Sequence, residues 1–139
     1  MNILKLTNLC SINSALFFIV LLFSPKLSAQ NLFINEFMAS NVISTPEIID
    51  FDDYSDWIEI YNSNMGYVDI GGYYITDNLD NPTKWRIPDG TYIGGRSFIR
   101  FWADGYDAVP GGDINYFHLN FKLSKEGEEI GLYTPSGEL

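Results

Sequence analysis

Tyr116-Phe117-His118-Leu119-Asn120-Phe121-Lys122-Leu123 alternates apolar and polar side chains from Phe117 to its end. In an extended chain successive side chains point to opposite faces. Phe117, Leu119, Phe121 and Leu123 therefore share one face, and His118, Asn120 and Lys122 share the other. This is the pattern of a strand half buried on a core, with His118 turned toward solvent. Working outward, residues 128–133 lie between Glu126-Gly127 and Pro135-Ser136-Gly137 and predict the last strand. Residues 97–103 are apolar almost throughout, which predicts a central strand, with Arg100 reaching out from its less buried face. Further strands are expected at 32–37, 57–61, 67–70, 73–76 and 84–87, closed by turn residues such as Gly71-Gly72 and Pro88-Asp89-Gly90. At 57–61, Ile58 and Ile60 face one way and Trp57, Glu59 and Tyr61 the other. No segment after the N-terminal apolar run keeps a helical apolar period over three turns. Many short strands with Gly, Pro and Asp turns predict an all-β sandwich. The one long gap, residues 39–55, reads as an irregular loop carrying Pro46 and an acidic cluster.

The N-terminus has a different character. Lys5 precedes the apolar run 15–23, which is followed by Ser24-Pro25-Lys26 and then Ser28-Ala29. That order of cation, short apolar stretch and small residues predicts a signal peptide over residues 1–29, and hence a secreted or cell-surface protein. The run falls well short of the ~20 residues needed for a bilayer span, so no membrane span is expected after cleavage. All 18 acidic residues follow Ala29, against 6 basic ones, which gives residues 30–139 a net charge of −12. Such a surface repels phosphate backbones, and nucleic acid is excluded as a partner. Cys10, the single cysteine, lies in the signal, so the domain has no disulfide and no thiolate. A domain of about this size can still bury roughly 65% of its unfolded surface, and the chain's 10 Phe, 9 Tyr and 3 Trp supply material.

The catalytic inventory is short. His118 is the single histidine, so Ser-His-Asp and Cys-His arrangements lack a supporting set. Zinc needs His or Cys ligands in numbers this chain lacks. The glycine pairs 71-72, 94-95 and 111-112 stand at strand ends and read as turns, not phosphate loops. Two features remain. Asp50-Phe51-Asp52-Asp53-Tyr54-Ser55-Asp56 concentrates hard oxygen donors, so Asp50, Asp52, Asp53 and Asp56 are either solvated surface charge or ligands of a calcium-like cation. The EF-hand pattern is not met, because Tyr54, Ser55 and Tyr61 occupy its fifth, sixth and twelfth positions. Trp57, Glu59 and Tyr61 share a strand face, where the aromatics either shield the carboxylate or form a ligand-facing patch.

Six blocks follow in order: Ile-Asn-Glu-Phe-Met-Ala-Ser-Asn at 34–41, Asp-Tyr-Ser-Asp-Trp-Ile-Glu-Ile-Tyr-Asn at 53–62, Asp-Ile-Gly-Gly-Tyr-Tyr-Ile-Thr-Asp at 69–77, Asn-Pro-Thr-Lys-Trp-Arg-Ile-Pro-Asp-Gly at 81–90, Phe-Trp-Ala-Asp-Gly at 101–105, and 119–133 ending in Gly-Leu-Tyr. Together they resemble the lamin-tail domain of secreted bacterial proteins. The resemblance implies an immunoglobulin-like β-sandwich over residues 30–139 and a non-catalytic interaction or tethering module. It carries over no catalytic residue and no obligate cofactor. Its partner would be a protein or a surface polymer. The alternative is an N-terminal accessory domain of a larger secreted enzyme, a hydrolase, nuclease or spore-coat-protein-H-type kinase. The stretch before Asp-Tyr-Ser-Asp-Trp is poorer in Asp and Gly than in related sequences. The family pattern also continues into another strand where this chain stops at Leu139. The sandwich is therefore expected to lack its last strand and to expose an edge open to self-association.

Overall fold

The computed structural model describes residues 31–47, 54–106 and 116–139. Their regular structure is β-strand throughout: β1 Leu32–Met38, β2 Asp56–Asn62, β3 Val68–Asp69, β4 Tyr74–Thr76, β5 Trp85–Arg86, β6 Tyr92–Ile93, β7 Phe98–Ala103, β8 Phe117–His118 and β9 Gly131–Tyr133. No helix among the described residues is long and apolar enough to cross a membrane. One sheet runs β1-β2-β7-β8 and the other β5-β4-β9, with a two-stranded ribbon β3-β6 beside them. The predicted all-β sandwich is what forms.

Alternation along β2 and β7 builds the core. Ile58 and Ile60 of β2 pair with Phe101 and Ile99 of β7, and all but the half-buried Ile99 are sealed from solvent. Phe117 joins this face from β8. The second layer contributes Ile75, Trp85, Ile87 and Leu132 to the same apolar cluster. Trp85 meets Phe101 edge-on, with ring centroids 5.8 Å apart, so an aromatic contact joins the two layers. Full burial of each such side chain contributes roughly 1.5–3 kcal/mol, and the aromatic residues replace the disulfide this domain lacks.

The turn before β7 has no slack. Asn62 is fully buried, and its amide donates to the carbonyls of Gly66 (2.9 Å) and Gly94 (2.9 Å) while its side-chain oxygen accepts from the Asn64 backbone N–H (2.9 Å). Beside it, a Cβ on Gly95 would lie 2.0 Å from the Met65 carbonyl oxygen. Only glycine fits that approach.

Two expectations need correction. Residues 116–123 do not form one long strand. Only β8 pairs with β7, in parallel, after which a single antiparallel bridge joins Lys122 to Asp104. The alternation of faces survives, because Phe117, Leu119, Phe121 and Leu123 are all buried. Residues 92–93, not expected as a strand, form β6 opposite β3. The central position of 97–103 is found as predicted, since β7 lies between β2 and β8.

Candidate functional site

The outer face of the four-stranded sheet is organised in rows, because register places residues side by side. Phe33, Tyr61 and Phe98 pair across β1, β2 and β7 to form one row. The Tyr61 and Phe98 rings lie 4.7 Å apart, and Phe33 and Phe98 are about half exposed, at 49% and 52%. The next row sets Glu59 opposite Arg100, with 3.4 Å between Glu59 Oε2 and the Arg100 guanidinium. Asn35 donates to the other Glu59 oxygen at 3.1 Å. A register shift between Ile34 and Glu36 is the irregularity that brings Asn35 there. The third row pairs Trp57 with Trp102. Arg100 lies over the Trp57 ring at 4.4 Å and near Trp102 at 5.7 Å, where the ring quadrupole attracts the cation.

The three residues singled out at 57–61 thus share a face but occupy three different settings. Trp57 is buried under Arg100 with Trp102 and Tyr116. Glu59 is engaged by Arg100 and Asn35. Tyr61 belongs to the aromatic row and is partly buried.

Beyond the tryptophan row, the parallel pairing of Trp102 with His118 puts the imidazole on this outer face, the side that alternation predicts. The expectation of a solvated residue is overturned, since His118 is 1% exposed. Tyr116 packs against it edge-on at 5.2 Å, Tyr106 stands 6.5 Å away, and Glu47 roofs it from the loop that follows β1. Alternation tells on which side a residue lies, not whether another segment covers that side.

Within this covered region Asp104 Oδ2 lies 2.6 Å from His118 Nδ1, and Glu47 Oε1 lies 3.3 Å from Nε2. Asp104 is itself fixed, because its Oδ1 accepts the Tyr106 backbone N–H at 3.0 Å. The imidazole thus meets Asp104 at Nδ1 and Glu47 at Nε2. Glu47 is fully buried. Burial pushes its carboxyl above the usual carboxylate range, and the Asp104 charge adds to the rise. The Ser55 hydroxyl, the imidazole and the Tyr116 hydroxyl act in the opposite direction. The result is a carboxylate–imidazole–carboxylate chain sealed at one end and open at the other. Next to Asp104 a cleft of about 470 Å³ is lined by Tyr54, Ser55, Asp56, Ala103, Tyr106 and Lys122.

Of the four aspartates considered for a cation, Asp50, Asp52 and Asp53 lie outside the described residues. Asp56 borders the cleft, and its Oδ1 accepts the Asn41 backbone N–H at 2.8 Å. Sequence reasoning missed Glu47 and Asp104. The available signal was Glu47 between Pro46 and Ile48-Ile49, an acid in an apolar run that had to be buried or break the run.

No curated protein matches this chain. The model of the lamin tail domain family matches residues 25–139, and the chain belongs to that family.

Proposed function

We propose that this chain is an extracellular interaction or tethering module with no enzymatic activity of its own. Lamin tail domains are non-catalytic immunoglobulin-like domains. The observation that carries this reading is the aromatic row Phe33–Tyr61–Phe98 on the outer face of a sheet in a non-catalytic fold, with Phe33 and Phe98 half exposed on either side of a partly buried Tyr61. Aromatic side chains on a rigid sheet offer large contact area at little entropic cost, and they are enriched where proteins meet partners. The partner is a protein or a surface polymer, not nucleic acid. The edges of β1 and β9, unpaired among the described residues, meet an apolar groove lined by Leu32, Phe33, Ile34, Ile130, Leu132 and Leu139 and add a second route of association, strand pairing with another copy. The signal-like N-terminus supports export. Intact-mass measurement of the extracellular fraction is expected to find a chain beginning close to residue 30. A full-length chain confined to the cell interior would contradict the reading.

The acidic segment around Asp56 fits the same extracellular setting, in which calcium is the cation to expect. A ligand of the native state alone raises stability by about 2.7 kcal/mol at a 100-fold excess over Kd. Thermal melts in millimolar calcium and in chelator should differ by several degrees, and identical melting temperatures would remove calcium from the account.

The second reading is an accessory domain of a larger secreted enzyme. Its support is the membership of residues 25–139 in a family of non-catalytic domains. An open reading frame running past the codon for Leu139 into a catalytic domain would favour it over a free-standing module.

A further inference from the structure

The end of the sandwich that carries the Asn62 turn differs in composition from the rest of the domain. Residues 31–35, 60–68 and 92–99 lead into it and contain no Asp or Glu, although all 18 acids lie after Ala29. Their single charge is Arg96. Two turns there, 62–67 and 93–97, are locked together. The Asn62 N–H donates to the Ser97 carbonyl at 2.9 Å, and the Arg96 N–H donates to the Asn64 carbonyl at 2.9 Å. Met65 and Tyr67 stand out from this rigid tip, 83% and 82% exposed, with Phe33 and Phe98 half exposed on the adjoining strands. Arg96 is exposed too. Its backbone is left-handed, with φ 55°, a conformation that residues other than glycine seldom adopt.

We propose that this tip docks on a zwitterionic phospholipid surface, with Met65 and Tyr67 entering the headgroup layer and Arg96 facing the lipid phosphates. The inference goes beyond the reading of the outer face, which concerns a protein or polymer partner, and it rests on different residues. Three observations select lipid. Side chains so exposed protrude, so a rigid partner would need a matching hollow, whereas a fluid interface conforms around them. Tyrosine suits such a boundary, because its ring is apolar and its hydroxyl stays wet.

The second observation is where the chain enters. The apolar run 15–23 joins the domain at this same end, since the Asn31 carbonyl accepts the Ser63 N–H at 2.8 Å. Residues 24–30 can span at most about 25 Å, so a bilayer holding that run is within reach of the tip. The third is charge. After Ala29 there are 18 acids against 6 bases, and an anionic surface repels such a body within a Debye length of about 8 Å. The acid-free tip can approach a neutral surface.

The test uses protein lacking residues 1–29, which keeps every described strand, sedimented with unilamellar phosphatidylcholine vesicles. Cosedimentation that rises with lipid concentration is expected, and phosphatidylglycerol vesicles should carry down less. Met65→Asn combined with Tyr67→Asn is expected to weaken binding at least about tenfold, since both side chains lie outside the core cluster. Met65→Trp supplies a readout that does not depend on the folding of that pair. The emission of the introduced indole should shift to the blue when phosphatidylcholine vesicles are added. Absence of vesicle binding overturns the proposal, as does equal binding by the folded asparagine pair, an unshifted indole, or stronger binding to phosphatidylglycerol. Dimers that the asparagine pair abolishes, without vesicle binding, would assign the tip to a second copy and overturn it as well. A domain that binds cell envelopes but not these vesicles overturns the lipid proposal alone. One that binds neither contradicts the interaction module too.

Discussion

Glu47 pins the loop after β1 onto the sheet, and it does so at an electrostatic cost. Its carboxyl titrates above the usual value of 4.5 because burial disfavours its charged form. Between 4.5 and that raised value the folded state binds more protons than the unfolded chain, so stability falls as pH rises through the window. The favourable contribution is fully present below 4.5 and is gone above the folded value. Glu47→Gln keeps the shape and cannot ionise. The stability of Glu47→Gln minus that of the wild type should therefore increase with pH across this window. The increase is about 1.4 kcal/mol for each unit by which the folded value is raised. Urea melts at a series of pH values measure the difference, and a flat difference would contradict the burial account.

At the scale of elements, register does most of the organising. The pairing of β1, β2 and β7 turns one strand-by-strand alternation into rows: an exposed aromatic row, an ion-pair row, a tryptophan row and a covered histidine. The sandwich, the central place of residues 97–103 and the outward direction of Arg100 were legible from the sequence, because each follows from a period of two. What was not legible depends on contacts between distant segments. His118 is buried by Glu47 from another loop, and no local pattern records a roof. The ribbon β3-β6 is two residues long on each side, too short for alternation to show. Asn62 reads as a polar strand end, yet it is the buried hydrogen-bonding centre of a turn. That turn also sets the value of Gly95, whose pairing with Gly94 looks like an ordinary strand-end signal. Gly95→Ala would place a methyl against the Met65 carbonyl at 2.0 Å. The backbone must shift to admit it, at a cost of about 1–3 kcal/mol. Chemical denaturation should show that loss, whereas Gly90→Ala, with open space at its Cβ but a positive φ of 78°, tests conformational strain alone. A Gly95→Ala protein as stable as the wild type would mean that the turn is not close-packed.

For the whole molecule, the sequence blocks and the folded domain agree on a lamin tail sandwich, and its two ends present different surfaces. At one end of the outer face the cluster of Glu47, His118 and Asp104 is closed off beside a polar cleft. At the other, Phe33 and Phe98 stand half exposed on either side of Tyr61. The net charge of −10 on the full chain disfavours anionic partners, so recognition falls to the aromatic row. Phe33→Lys together with Phe98→Lys would break that row while leaving the core cluster intact, since neither residue belongs to it. The measurement closest to the central claim is cosedimentation of the purified domain with cell envelopes of the source organism. The account predicts saturable binding, displaced by unlabelled domain and weakened at least about tenfold, or 1.4 kcal/mol, by the paired lysine substitutions. A domain that stays wholly in the supernatant, or one that binds equally well with both lysines in place, would contradict it.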